Sequence, residues 1–136
     1  MSLNKWHTEK SLKENFAEKW NPLFDFALRN SSSKLYDPEC THYLIHYWNI
    51  FSNLLNEDLK LLEIGVKNGD SMKMWSDLLS EDSKFYGIDI NPEPLKDFKL
   101  KNTELFFGDQ TDIPFLMESL KSIGSKLDFI IDDGGH

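Results

Sequence analysis

Cysteine is almost missing from this chain. Cys40 is the only one in 136 residues, so no internal disulfide can form and a reducing compartment is expected. Positive charge is also in short supply. Fifteen lysines and arginines against 23 aspartates and glutamates leave a formal net charge of −8, which argues against nucleic acid as a partner because phosphate binding needs a basic face. No apolar run reaches the roughly 20 residues of a membrane-spanning helix, and no apolar leader follows Met1. The expectation is a soluble, cytoplasmic protein without membrane contact. Internal repeats and low-complexity tracts are lacking too. What is present is apolar: 40% hydrophobic and 13% aromatic residues supply a core and exclude a disordered chain. A single modest domain of this length buries roughly two thirds of its unfolded surface.

Residues 8–29 read as one or two amphipathic helices with Leu12, Phe16 and Trp20 on one stripe, interrupted at Asn21-Pro22 before Leu23, Phe24 and Phe26. Asn30-Ser31-Ser32-Ser33 is a polar linker. A second helix is expected over residues 38–55, with Pro38 in its first turn and Asp37 as cap, because Leu44, Tyr47, Trp48, Phe51, Leu54 and Leu55 recur at helical spacing. Strands and helices then alternate: strand 61–66, helix 71–79, strand 85–90, a short helix 92–100, strand 104–107, helix 113–123 closed by Gly124, strand 127–131. Such spacing implies a parallel sheet built by right-handed crossovers. The fold class expected is α/β, with a helical segment over 1–58 and a doubly wound parallel sheet, in strand order three, two, one, four, over 59–136. A doubly wound sheet ordinarily carries more strands, so 59–136 reads as the first half of such a domain.

The most informative stretch is Leu61-Leu62-Glu63-Ile64-Gly65-Val66-Lys67-Asn68-Gly69-Asp70. It reads as a buried strand, a turn opened by two glycines, and a helix whose N-terminal N–H groups face the same spot. Twenty residues after Gly69, Asp89 ends the next apolar run, where a carboxylate can accept both hydroxyls of a ribose. A nucleoside therefore fits across two neighbouring strand ends. A dinucleotide fingerprint needs Gly-x-Gly-x-x-Gly, but here Glu63 takes the first position and three residues separate Gly65 from Gly69. Glu-x-Gly-x-x-x-Gly suits a ligand with no pyrophosphate and with a cationic amine. The plainer reading is a strand–turn–helix corner whose glycines only relieve crowding.

Acids close three expected strands: Asp89, Asp109 and the pair Asp132-Asp133. Each has a structural reading, as turn, cap or solvated loop, and Asp112 reads as a helix cap. Their placement at one sheet edge favours a site. Asp132-Asp133-Gly134-Gly135-His136 is the most specific of these segments. Adjacent carboxylates repel unless a cation relieves them, and oxygen ligands suit a hard ion such as magnesium. Two glycines can turn His136 back toward the same centre, where an imidazole of pKa about 6.5 can take a proton from a hydroxyl.

In combination these segments resemble one branch of a known family. Thr41-His42-Tyr43, residues 61–75, Tyr86-Gly87-Ile88-Asp89-Ile90-Asn91-Pro92, Gly108-Asp109-Gln110-Thr111-Asp112 and the terminal Asp-Asp-Gly-Gly-His are similar to the class I S-adenosylmethionine-dependent methyltransferases. Within that class they resemble the metal-dependent macrolide-sugar O-methyltransferases and their cephalosporin hydroxylase-like relatives, over residues 36–136. The resemblance implies a Rossmann-like fold, S-adenosylmethionine as cofactor and magnesium as metal. It implies that Glu63, Gly65 and Gly69 line the cofactor, that Asp89 holds the ribose and that Asp109 meets the adenine amine. Asp132 would lie near the methionine moiety or metal, Asp133 would ligate magnesium, and His136 would be the general base. The acceptor would be a hydroxyl of a sugar or glycosylated metabolite. The family's further metal-binding acids and most of its acceptor pocket come from later segments not in this sequence. A non-catalytic, truncated remnant with a weak nucleoside site is therefore a competing reading, and an NAD-dependent oxidoreductase a third. An apolar fourth strand at a sheet edge, guarded only by Lys126 and Asp128, predicts a homo-oligomer.

Overall fold

The computed structural model describes residues 9–30, 41–124 and 126–134. At Asn21 the chain restarts a helix. Its Oδ1 accepts a hydrogen bond from the Leu23 N–H at 2.9 Å, and Pro22 fills the first turn, where no N–H is needed. Helix α2 (Pro22–Arg29) thus begins anew after α1 (Glu9–Asn15) and a 3-10 turn (Ala17–Lys19). The same buried Asn21 donates from Nδ2 to the Leu44 carbonyl at 3.4 Å, tying α2 to α3 (Tyr43–Phe51). Removing both bonds in Asn21→Ala is expected to cost about 1–2 kcal/mol, the usual range for a lost N-cap, read as a lower urea midpoint at unchanged slope.

Helix α3 is shorter than its apolar pattern predicted. It stops at Phe51, and Leu54 and Leu55 pack against the core from the turn that follows. The expected start at Pro38 and the Asp37 cap lie outside the described residues.

The sheet has four parallel strands in the order β3-β2-β1-β4, as the alternation predicted. They are β1 (Lys60–Ile64), β2 (Lys84–Asp89), β3 (Thr103–Phe107) and β4 (Phe129–Asp132). Helices α4 (Asp70–Leu78) and α5 (Ile113–Ile123) make two of the crossovers. Between β2 and β3 the expected helix over 92–100 is only a single 3-10 turn, Glu93–Leu95. Asn91 Oδ1 accepts from the Glu93 N–H at 3.1 Å, Leu95 is buried, and the ring of Phe98 turns in against Gly69. Strand four starts two residues later than predicted because Asp128 closes its beginning. The Asp128 carboxylate accepts from the Lys60 N–H at 2.8 Å, and its own N–H donates to the Lys60 carbonyl at 2.9 Å.

Side chains alternate across β1, so Leu61 and Leu62 enter different cores. On one face α2 packs against α3 and α4. Its centre is an aromatic chain: Tyr47 and Phe51 of α3 meet the fully buried Trp75 at centroid distances of 4.9 and 5.3 Å, and Phe51 meets Phe129 of β4 at 4.8 Å. The opposite core is thin. Leu62, Tyr86, Ile88 and Ile123 pack there with Phe115 and Leu116 of α5. Ile113, Met117 and Leu120 of α5 stay exposed, and Ile130 of β4 is 60% exposed. No described helix is long and apolar enough to cross a membrane.

Candidate functional site

The carboxyl ends of all four strands meet in one crevice. After β1 the chain turns through Gly65 (φ 85°), Lys67 (φ 61°) and Gly69 (φ 87°), three left-handed residues in five. Such backbone suits glycine and is strained at Lys67. Asp89 holds this turn in place. Its Oδ2 accepts from the Lys67 N–H at 2.7 Å, while Oδ1 accepts from the Asn91 N–H at 2.9 Å. A carboxylate has about four acceptor positions, so two N–H donors leave capacity toward a ligand.

The two glycines serve different neighbours. A Cβ at Gly65 would lie 2.6 Å from the Asp133 carbonyl oxygen and the Gly134 Cα, so the backbone leaving β4 rests on this residue. Gly65 also donates from its N–H to the Ile88 carbonyl at 2.8 Å and lines the crevice. Gly69 does not line it. It is buried, caps α4 without a side chain, and leaves room for the Phe98 ring.

The crevice has a volume of about 220 Å³. Three of the expected residues face it from three strand ends: Gly65, Asp89 and Asp109. Asp109 Oδ1 accepts from both the N–H and the hydroxyl of Thr111, at 2.8 and 2.7 Å. Those two bonds, the backbone one first, hold its carboxyl below the ordinary aspartate range. Asp112 caps α5 as expected, accepting from the Phe115 N–H. Ile90, Gln110 and Thr111 also line the crevice but were not among the expected residues. Gln110 directly follows Asp109, which was, and its side chain packs against Gly134 from the next loop. Ile90 directly follows Asp89 and is 70% exposed, an apolar side chain at a strand end with no core to fill.

Other expected residues fall elsewhere. Glu63 is buried, 1% exposed, in the middle of β1 between Gly87 and Ile131, and does not line the crevice. Asp132 ends β4, paired in register with Ile64, and its Oδ1 accepts from the Gly134 N–H at 3.2 Å. Asp133 donates its N–H to the Ile64 carbonyl at 2.8 Å. Asp132 and Asp133 together face a second cleft, against α3. His136 lies outside the described residues. The expected magnesium site finds no support: among the described residues no three or more histidine, cysteine, aspartate or glutamate side chains group to hold a metal. Asp132 and Asp133 supply two carboxylates, and no third described ligand joins them.

No protein-family profile matches the chain, and no curated protein matches it. Among solved structures, one described as "a putative O-methyltransferase from Klebsiella pneumoniae" is similar at 18% identity and a TM-score of 0.47, over 96% of this chain. The chain spans 61% of that structure's length.

Proposed function

We propose that the strand-end crevice binds the nucleoside of S-adenosylmethionine, and that the protein is an O-methyltransferase acting on a hydroxyl of a sugar or glycosylated metabolite. The observation that carries this reading is the convergence of Gly65, Asp89 and Asp109 from three strand ends on one crevice of about 220 Å³. A crevice below the roughly 300 Å³ of the smallest typical ligand pockets suits a nucleoside better than a dinucleotide. When bound, S-adenosylmethionine supplies a methyl group, which passes from sulfur to the acceptor oxygen as the acceptor proton leaves. The rest falls to the protein. Asp89 accepts the ribose hydroxyls with the lone pairs its two N–H partners leave over. Asp109, oriented by its two bonds from Thr111, accepts from the adenine amine, and Ile90 offers apolar surface to the base. Asp132 takes the methionine end and His136 takes the acceptor proton, roles supported by the motif resemblance, while Glu63 stays buried in β1. The small crevice also favours a second reading, a non-catalytic chain that keeps a weak nucleoside site.

Isothermal titration with S-adenosylhomocysteine, NAD and buffer separates these readings. Saturable binding of S-adenosylhomocysteine and none of NAD is expected. Binding of NAD as tight or tighter would overturn the methyltransferase reading, and S-adenosylhomocysteine binding without turnover on any glycoside would favour the second.

We also propose that the chain self-associates through β4. Among the described residues β4 pairs only with β1, Ile130 of β4 stands exposed, and α5 carries its own exposed stripe of Ile113, Met117 and Leu120. Unpaired edges and apolar patches of this kind favour association, most often with twofold symmetry. Sedimentation velocity at micromolar concentration should give a dimer, and Ile130→Lys a monomer. A parent chain that sediments as a monomer would refute the proposal.

A further inference from the structure

Among the described residues, two that are not glycine stand in left-handed backbone, Lys67 (φ 61°) and Asn102 (φ 55°). Asparagine visits that region readily because its short polar side chain can bond locally. Lysine gains nothing of that kind, and its Cβ crowds the carbonyl that follows. The Lys67 side chain is exposed and does not line the crevice, so packing does not hold this conformation. What reaches the strained residue itself is the hydrogen bond from its N–H to Asp89 Oδ2 at 2.7 Å. Asp89 is fixed from its own strand. It pairs in register with Phe107 of β3, and its carbonyl accepts from the Gly108 N–H at 3.0 Å. The carboxylate is anchored, and the strained turn hangs from it.

Strained backbone persists where its surroundings hold it, and it gathers at sites where the strain has a use. The cost of left-handed backbone at an ordinary side chain and the worth of one hydrogen bond to a carboxylate are of the same order. Neither dominates. The closed turn and a turn with the Lys67 N–H released therefore lie close in free energy, whereas a glycine at this position would carry no strain and would favour the closed turn. Gly65, two residues earlier, lines the crevice and carries the backbone leaving β4, so opening at Lys67 loosens the crevice wall. We propose that Lys67 is a positioning residue whose strained backbone makes the β1–α4 turn a latch, shut only while Asp89 holds the Lys67 N–H. The nucleoside is bound by the shut fraction, and its affinity is reduced by that fraction. The proposal rests on the nucleoside reading only in naming the ligand.

Lys67→Gly relieves the strain, Lys67→Ala keeps it, and both remove the ammonium, so the pair isolates the backbone. Three measurements on the full chain compare them. Amide exchange at residue 67 in the free protein, corrected for intrinsic rates, should be roughly two- to tenfold slower in Lys67→Gly than in Lys67→Ala. Adding Asp89→Asn should lower the urea midpoint more in the Lys67→Gly background, because a latch already open part of the time has less to lose. S-adenosylhomocysteine should bind Lys67→Gly roughly two- to tenfold tighter than Lys67→Ala. Lys67→Asn tolerates the left-handed region without the flexibility of glycine. It should follow Lys67→Gly throughout, and it takes that variant's place if the glycine loosens the turn. Equal exchange in the two variants, or equal midpoint losses on adding Asp89→Asn, would overturn the latch. Slower exchange in Lys67→Gly without tighter binding would overturn the positioning role. A parent chain that does not bind S-adenosylhomocysteine would refute the nucleoside reading, and the exchange and urea measurements would still decide the latch.

Discussion

Asp89→Ala is expected to weaken S-adenosylhomocysteine binding by about 1.5–3 kcal/mol, the usual worth of hydrogen bonds to a charged group, or roughly ten- to a hundredfold in Kd. The loss has two sources. The carboxylate presents its remaining lone pairs to the crevice, and it also holds the Lys67 and Asn91 N–H groups that shape the rim. Asp89→Asn separates them. The amide retains one oxygen that can accept from either N–H, so the turn should persist in part while the charge toward the ribose is lost. Titration calorimetry on both variants, with urea unfolding as a check on the fold, reads the two contributions. If Asp89→Ala binds like the parent, the nucleoside lies elsewhere.

The second large effect is on stability. Gly65→Ala places a Cβ in a left-handed residue, which costs an ordinary side chain about 1–2 kcal/mol. It also drives that Cβ against the Asp133 carbonyl oxygen and the Gly134 Cα, at 2.6 Å in the unrelaxed geometry. Backbone cannot swing aside as a flexible side chain can. Gly65→Ala should therefore destabilise the fold by about 3–4 kcal/mol, toward the severe end for single substitutions. Denaturant unfolding monitored by tryptophan fluorescence measures this. A loss below about 1 kcal/mol would mean that the loop after β4 gives way easily, and that it is not held over Gly65.

Much of this architecture was legible in the residues. The period of the apolar runs gave the parallel sheet and its order, since each strand is short and bounded by polar turns. Asp112 and Gly124 marked both ends of α5, because a cap and a stop are local chemistry. Long-range competition was not legible. The apolar spacing around Phe98 resembles a helix, yet the ring is used to fill the space above Gly69. Leu127 looked like strand, but the Asp128 side chain takes the Lys60 N–H, and the ladder begins after it. The acids of the crevice could be named because they end strands. Tyr43 and His46, which line the second cleft, could not, because nothing near them in sequence shows that α3 will face the loop after β4.

The backbone laid over Gly65 also sets an order in time. Strand β4 reaches β1 across a separation of 68 residues, as in the Lys60–Asp128 bond, whereas β1 and β2 are joined by one short crossover. Closing the longer loop costs more chain entropy and belongs late in folding. Until it closes, Gly134 and Gln110 have no common wall to form, and the crevice lacks a side. A nucleoside that binds there can recognise only chains in which β4 has docked. Ligand present during refolding should therefore slow unfolding far more than it speeds folding.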